Sequence, residues 1–189
     1  MGFCLDFGVF YASAVLIATR TFIILGMEID QGGRIRNVKL MDSGISDYWA
    51  IARLEKESFG EDAWTALDMI PVLLNGDIFR CKAVSGSDGR LIAFAAAEFN
   101  RSAKTAFLLT IAVAAEARRR GLGSLLLRGC ERACSERFAG GRMKLTVSTV
   151  NNAAIALYRK HGYRRVGELS NYYGEGLPKI GRASCRERV

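Results

Sequence analysis

Residues 111–124, IAVAAEARRRGLGS, concentrate the chemistry of this chain. A strand-like apolar run ends in three consecutive arginines, Arg118, Arg119 and Arg120, and then Gly121-Leu122-Gly123-Ser124 opens a helical pattern. The first turn of a helix presents unpaired N–H groups at the positive end of the dipole, which suits phosphate oxygens. Gly121 and Gly123 let a ligand approach the backbone closely, and the arginines add charge. The spacing, Arg-x-x-Gly-x-Gly after Ile-Ala-Val, differs from the dinucleotide GxGxxG and lacks the Gly-Lys-Ser/Thr of a P-loop. Taken alone, a Gly-x-Gly of this kind reads first as a solvated basic turn with a glycine for bending.

Other chemistries find little material. The single histidine, His161, rules out a His-rich metal site and leaves a His-centred triad one candidate. The five cysteines, at 4, 81, 130, 134 and 185, contain no CxxC, so zinc-ribbon and thioredoxin patterns are absent. Their odd number and scatter point to a reducing cytoplasm rather than a secreted disulfide scaffold. No metal is expected. The net charge of +8 points to an anionic partner without naming it.

The elements that must position these residues follow from periodicity. Arg34–Lys39 alternates as a half-buried strand does. Asp42 and Ser43 offer a cap to a helix with Ile45, Trp49, Ala52 and Phe59 on one face. A second helix covers Asp62–Leu74, shortened or kinked by Pro71. Ile78–Val84 and Leu91–Phe99 read as a hairpin around Asp88-Gly89. Ala106–Ala114 is a nearly continuous apolar run, expected of a strand covered on both faces. A long helix runs from Gly121 to about Phe138, with Cys130 and Cys134 as small buried hydrophobes on its apolar face. Met143–Thr149 is a strand, Asn151–His161 a short helix ending at Gly162, and Tyr163–Leu169 a strand. This order is an α/β fold: a mixed sheet with helices on both sides.

The ends differ from the middle. Residues 1–26 are strongly apolar, with only Asp6 and Arg20 charged, and the reading is an apolar leader: a start assigned too far upstream, or a membrane anchor. The last ten residues, IGRASCRERV, match the translation of a common sequencing adapter. They are expected to be non-native, with the last strand of the sheet truncated. The expected domain is therefore 27–179, whose net charge is +6 and whose cysteines are Cys81, Cys130 and Cys134.

Thirty residues past the glycines stands Asn151-Asn152-Ala-Ala-Ile-Ala-Leu-Tyr158-Arg-Lys-His161-Gly162-Tyr163. The two motifs together resemble the GNAT acetyltransferase superfamily: its Gln/Arg-x-x-Gly-x-Gly/Ala acetyl-CoA motif and its Asn-x-x-Ala-x-x-Leu-Tyr-x-x-x-Gly-Phe/Tyr motif. The resemblance covers essentially all of 27–179 and implies the GNAT acyl-CoA N-acyltransferase fold, with a mixed, mostly antiparallel sheet. It implies roles as well. Arg118, Arg119, Arg120, Gly121, Leu122, Gly123 and Ser124 bind the pyrophosphate of acetyl-CoA. Ile111 and Val113 hydrogen-bond the pantetheine arm, and Asn151 touches it. Tyr158 protonates the departing thiolate.

A narrower resemblance is to the RimI-like and eukaryotic N-terminal acetyltransferases, carried by Leu54-Glu-Lys-Glu-Ser-Phe59, the Asn151–Tyr163 block and Asn171-Tyr172-Tyr173-Gly174. It implies a cytoplasmic enzyme acetylating the α-amine of a protein or peptide, such as a ribosomal protein, by direct attack in a ternary complex. Glu57, Phe59, Tyr172 and Tyr173 then line the acceptor groove. One departure stands out. Where RimI-like enzymes carry Leu-Glu-Val-Arg with a basic Glu, this chain has Leu145-Thr146-Val147-Ser148. Glu98 is the substitute base, with Glu57 a weaker one. The alternatives are acetylation of a small amine (amino acid, polyamine or aminoglycoside) and a non-catalytic acyl-CoA-binding module. Neither nucleic acid nor a membrane is an expected partner.

Overall fold

A computed structural model describes residues 24–27, 38–169 and 181–186. The described strands form one eight-stranded sheet in the order β1-β2-β3-β4-β5-β6-β8-β7. They are β1 (Ile24–Met27), β2 (Val38–Asp42), β3 (Ile78–Ser85), β4 (Leu91–Asn100), β5 (Thr105–Val113), β6 (Arg142–Ser148), β7 (Arg164–Leu169) and β8 (Gly181–Arg186). The helices are α1 (Tyr48–Phe59), α2 (Ala66–Leu74), α3 (Leu122–Arg137) and α4 (Asn152–Lys160). Every neighbouring pair is antiparallel except β5 and β6, which α3 joins as a parallel crossover.

Side chains alternate across a strand, and this fixes which helices cover which face. Arg80 of β3 donates to the carbonyls of Val72 at 2.8 Å and Asn75 at 2.6 Å. Its cross-strand line, Arg80–Ala96–Thr110, therefore faces α2, and Thr110 meets α1 on the same side. The adjacent line begins at Cys81, whose sulfur stands 4.0 Å from where a Cβ on Gly129 of α3 would be. So α1 and α2 cover one face and α3 the other. Residues 92–97 of β4 are all buried, making β4 the strand enclosed on both faces. In β5 buried and half-buried residues alternate instead.

Three expectations need correction. The buried stripe of α1 is Ile51, Leu54 and Glu55, not the face of Ile45 and Trp49, which are 49% and 80% exposed. The cause is a tighter 3-10 turn at Ile45–Asp47 ahead of α1, which resets the helical phase. Nor is the sheet without a strand after Lys179, because Gly181–Arg186 pairs as β8 between β6 and β7. Two facing strand edges demand backbone partners, and ladder bonds are indifferent to side-chain identity. Helix α2 begins at Ala66, four residues later than Asp62, because Thr65 and Asp68 form a capping box there. The expected strand over Arg34–Lys39 lies mostly outside the described residues, as do residues 1–23 of the apolar leader. No helix among the described residues is long and apolar enough to cross a membrane.

Candidate active site

Strands β5 and β6 pair only where Thr105–Leu108 lies beside Arg142–Leu145. Past Leu108 they part. Leu108 pairs with Ala97 and Thr110 with Ala96, so Leu109 is the extra residue of a bulge, which bends the strand. The Val113 carbonyl accepts from Arg118 Nε at 2.9 Å, so it points away from β4. Ile111 lies two residues back on the same regular stretch, so its backbone N–H and C=O face the same open side. The gap past Leu108 thus presents a strand edge, along Ile111 and Val113, with which an extended amide-bearing chain could pair.

At its upper end stands the first turn of α3. Gly121 is the N-cap, in the left-handed region at φ +88°, and no side chain caps the turn. Arg119 adopts φ +61°, and Arg118, Arg119 and Arg120 are all exposed. The amide face of the turn is therefore flanked by positive charge and unobstructed by a capping side chain. At Gly123 a Cβ would sit 3.2 Å from Leu157 Cδ2, so this glycine permits the close packing of α4 against α3. These residues fit a pyrophosphate as charge and as hydrogen-bond donors.

At the lower end the gap opens into a cavity of about 330 Å³. Residues 108–111 of β5 form one wall and residues 146–148 of β6 the other. Asn151, Ala154 and Tyr158 of α4 close one end, and Glu55, Ser58 and Phe59 of α1 close the other with Asp62 and Trp64. Tyr158 is 9% exposed, and its ring lies 5.7 Å from that of Tyr163. Asn151 is the N-cap of α4, accepting from the Ala154 N–H at 3.0 Å.

Of the residues singled out from sequence, Phe59, Ile111, Asn151 and Tyr158 meet at this cavity. Val113 and residues 118–124 lie along the gap above it. Glu98 does not join them. It is exposed, paired with Phe107 near the far end of β5, and absent from the cavity lining. Glu57 is also exposed and outside the lining, because residues two apart on a helix face different ways. Tyr172 and Tyr173 lie outside the described residues. Cys81, Cys130 and Cys134 are buried free thiols, and none lines the cavity. The hydrogen bond with Cys81, together with burial, pushes the Cys130 thiol well up. Among the described residues no three His, Cys, Asp or Glu side chains gather as metal ligands do.

The residue missed by sequence reasoning is Glu55. It lines the cavity, is 1% exposed, and accepts from the Thr110 hydroxyl at 2.8 Å. Burial raises its carboxyl to about 7, against a smaller lowering by the Thr110 hydrogen bond. A signal was available: Ile51, Leu54, Glu55 and Ser58 fall at i, i+3, i+4 and i+7, so Glu55 is a carboxylate inside an otherwise core-facing stripe.

A profile of the acetyltransferase (GNAT) family matches residues 48–163. An N-alpha-acetyltransferase of Sulfurisphaera tokodaii is 36% identical over 73 residues, 39% of this chain. That match spans 44% of the relative, less than half its length. Among solved structures, the ribosomal-protein-S18-alanine N-acetyltransferase of Escherichia coli superposes with a TM-score of 0.70 at 22% identity. It covers 79% of this chain and 93% of its own. Arabidopsis thaliana Naa50, solved with the bisubstrate analogue CoA-Ac-MVNAL, gives 0.69 at 22% identity, covering 79% of this chain and 98% of its own.

Proposed function

The chain belongs to the acetyltransferase (GNAT) family, and from that premise we propose that it transfers acetyl from acetyl-CoA to the N-terminal α-amine of a protein or peptide. The observation that carries this reading is the parting of β5 from β6, with the backbones of Ile111 and Val113 turned into the gap. The uncapped turn of α3 lies above that gap, and a cavity holding Tyr158 lies below it.

The thioester supplies the activated acetyl group, and the chain's residues do the rest. Backbone N–H groups of residues 119–124 and the arginines hold the pyrophosphate. Ile111 and Val113 pair with the pantetheine arm as a neighbouring strand would, fixing the thioester at the cavity. Asn151 holds the start of α4 and with it the position of Tyr158. The Tyr158 hydroxyl gives a proton to the departing thiolate. Phe59, Trp64 and Val150 offer an apolar lining to the acceptor's first side chain.

An α-amine is favoured over lysine by proton chemistry. Reference values are about 7.7–8.0 for an α-amine and about 10.4 for lysine. At pH 7.5 roughly a third of α-amines are already neutral, but only about one lysine in a thousand. Thr146, which lines the cavity opposite α1, cannot take a proton, so a site of this kind suits the amine that surrenders one easily. The buried thiols suit a reducing cytoplasm, where we place the protein.

A thiol-release assay with acetyl-CoA and a library of short peptides tests the proposal. Peptides with free N-termini turn over and their N-blocked, lysine-bearing counterparts do not. Turnover confined to amino acids, polyamines or aminoglycosides identifies a small-molecule enzyme instead. Tight CoA binding with no turnover of any amine identifies a binding module.

A further inference from the structure

We infer that Glu55, held by Thr110, is the catalytic residue that accepts the proton released by the attacking amine. The inference rests on the acetyl-transfer reading above and assigns its missing base. Glu55 lines the same cavity as Tyr158, and it reaches that cavity from α1, across from the β6 wall that carries Thr146. Its hydrogen-bond partner, Thr110, is the immediate neighbour of Ile111 on the bent part of β5. The carboxyl is thus fixed beside the place where the thioester would lie, by a positioning residue that belongs to the same strand.

Its surroundings argue against a purely structural carboxyl. A buried carboxylate is ordinarily offset by a cation or by several donors. Here β5 contains no charged residue, and β4 contains only Glu98, exposed at its far end. On α1 itself Arg53, Lys56 and Glu57 are exposed, as are Asp68 of α2 and the flanking Arg142 and Lys144 of β6. The titratable groups that share the cavity are Asp62, exposed, and Tyr158, and neither is a cation. Glu55 is left with one hydroxyl donor. Its raised value of about 7 lies close to that of an α-amine, about 7.7–8.0, which is where a general base works best.

The step balances. The neutral amine nitrogen bonds to the acetyl carbon, and one N–H proton passes to Glu55, directly or through one water. The carbon–sulfur bond breaks, and the thiolate takes the Tyr158 hydroxyl proton. Exchange with solvent then returns Glu55 to its carboxylate and Tyr158 to its phenol.

The test is the pH profile of kcat/KM for Glu55→Gln, a neutral isostere that keeps the Thr110 hydrogen bond. The expected loss at pH 7.5 is about 100-fold or more, with acetyl-CoA affinity unchanged by calorimetry. In the wild type the acid limb of log kcat/KM has a slope of about two, one ionisation from the amine and one from Glu55; in the variant it is about one. An unchanged slope with unchanged kcat/KM overturns the assignment. So does a loss of acetyl-CoA binding as large as the loss of rate, which marks a structural role. If Glu55→Gln does not fold, Thr110→Val takes its place. Removing a hydrogen bond that favours the carboxylate moves the limb to higher pH, and Thr110→Ser restores it; a limb that stays put overturns the assignment. The profiles are measured on whichever amine the wild type accepts, so a small-amine preference would sink the N-terminal reading while Glu55 still meets its own test. No turnover of any amine sinks both.

Discussion

Arg118 donates from Nε to the Val113 carbonyl at 2.9 Å, tying the basic turn before α3 to the last residue of β5. The amide turn and the strand edge, the two halves of the proposed donor site, are thereby linked by a hydrogen bond. Arg118→Ala is expected to raise KM for acetyl-CoA about tenfold, the size of one charge-assisted hydrogen bond plus a lost charge. Arg119→Ala and Arg120→Ala, which remove charge alone, should each cost about threefold and lose that effect at high salt. Equal effects of all three would show that the tie to Val113 is not what matters.

Gly121 holds the N-cap of α3 at φ +88°, with open space where a Cβ would go. The cost of Gly121→Ala is thus one of backbone conformation, not of collision, about 1–2 kcal/mol. Chemical denaturation should show that loss together with weaker acetyl-CoA binding. Gly123→Ala meets the flexible end of Leu157 instead, so its effect should fall on the α3–α4 packing.

Tyr158→Phe keeps the packing against Tyr163 and removes the hydroxyl. The expected result is a fall in kcat of about 100-fold with KM for acetyl-CoA nearly unchanged. Stopped-flow measurement of thiol release should find the loss in the chemical step. A rise in KM with kcat intact would reassign Tyr158 to binding.

Glu55 also predicts a pH dependence of stability. Its carboxyl titrates near 7 when folded and near 4.5 when not. Between those values the folded state keeps a proton that the unfolded state has released. Stability therefore declines as pH rises from about 4.5 to 7 and stays lower above that. Glu55→Gln removes the penalty, so the variant should be the more stable protein at pH 8, by up to about 3 kcal/mol, and no more stable at pH 4.5. Urea denaturation at the two pH values checks the crossover.

Much of this arrangement was legible in the residues. The apolar run ending in Arg118–Arg120 and Gly121 placed β5 and α3 within a residue or two. The Asn151–Tyr163 block placed α4, and with it Asn151 and Tyr158 at the cavity. The proposed base, Glu55, is not legible there, for a reason of phase. Counting a helical period from Ile45 through Trp49 crosses a 3-10 turn with a different repeat, so that period rotates the face and assigns Trp49 an interior it does not have. Glu98 is expected near the end of the strand over Leu91–Phe99, and that end pairs with Phe107, where β5 and β6 are still joined. β8 is not legible because its residues match an adapter translation and carry no apolar period, whereas its place is set by the edges of β6 and β7.

The partial pairing of β5 with β6 has one more consequence. Only four residue pairs join the strands on either side of the gap. An amide-bearing arm laid against Ile111 and Val113 would serve as a temporary ninth strand, completing the sheet each time the donor arrives and opening it again when the spent thiol leaves. A donor bound there would be part of the sheet during turnover, bridging two strands that otherwise touch along less than half of β5.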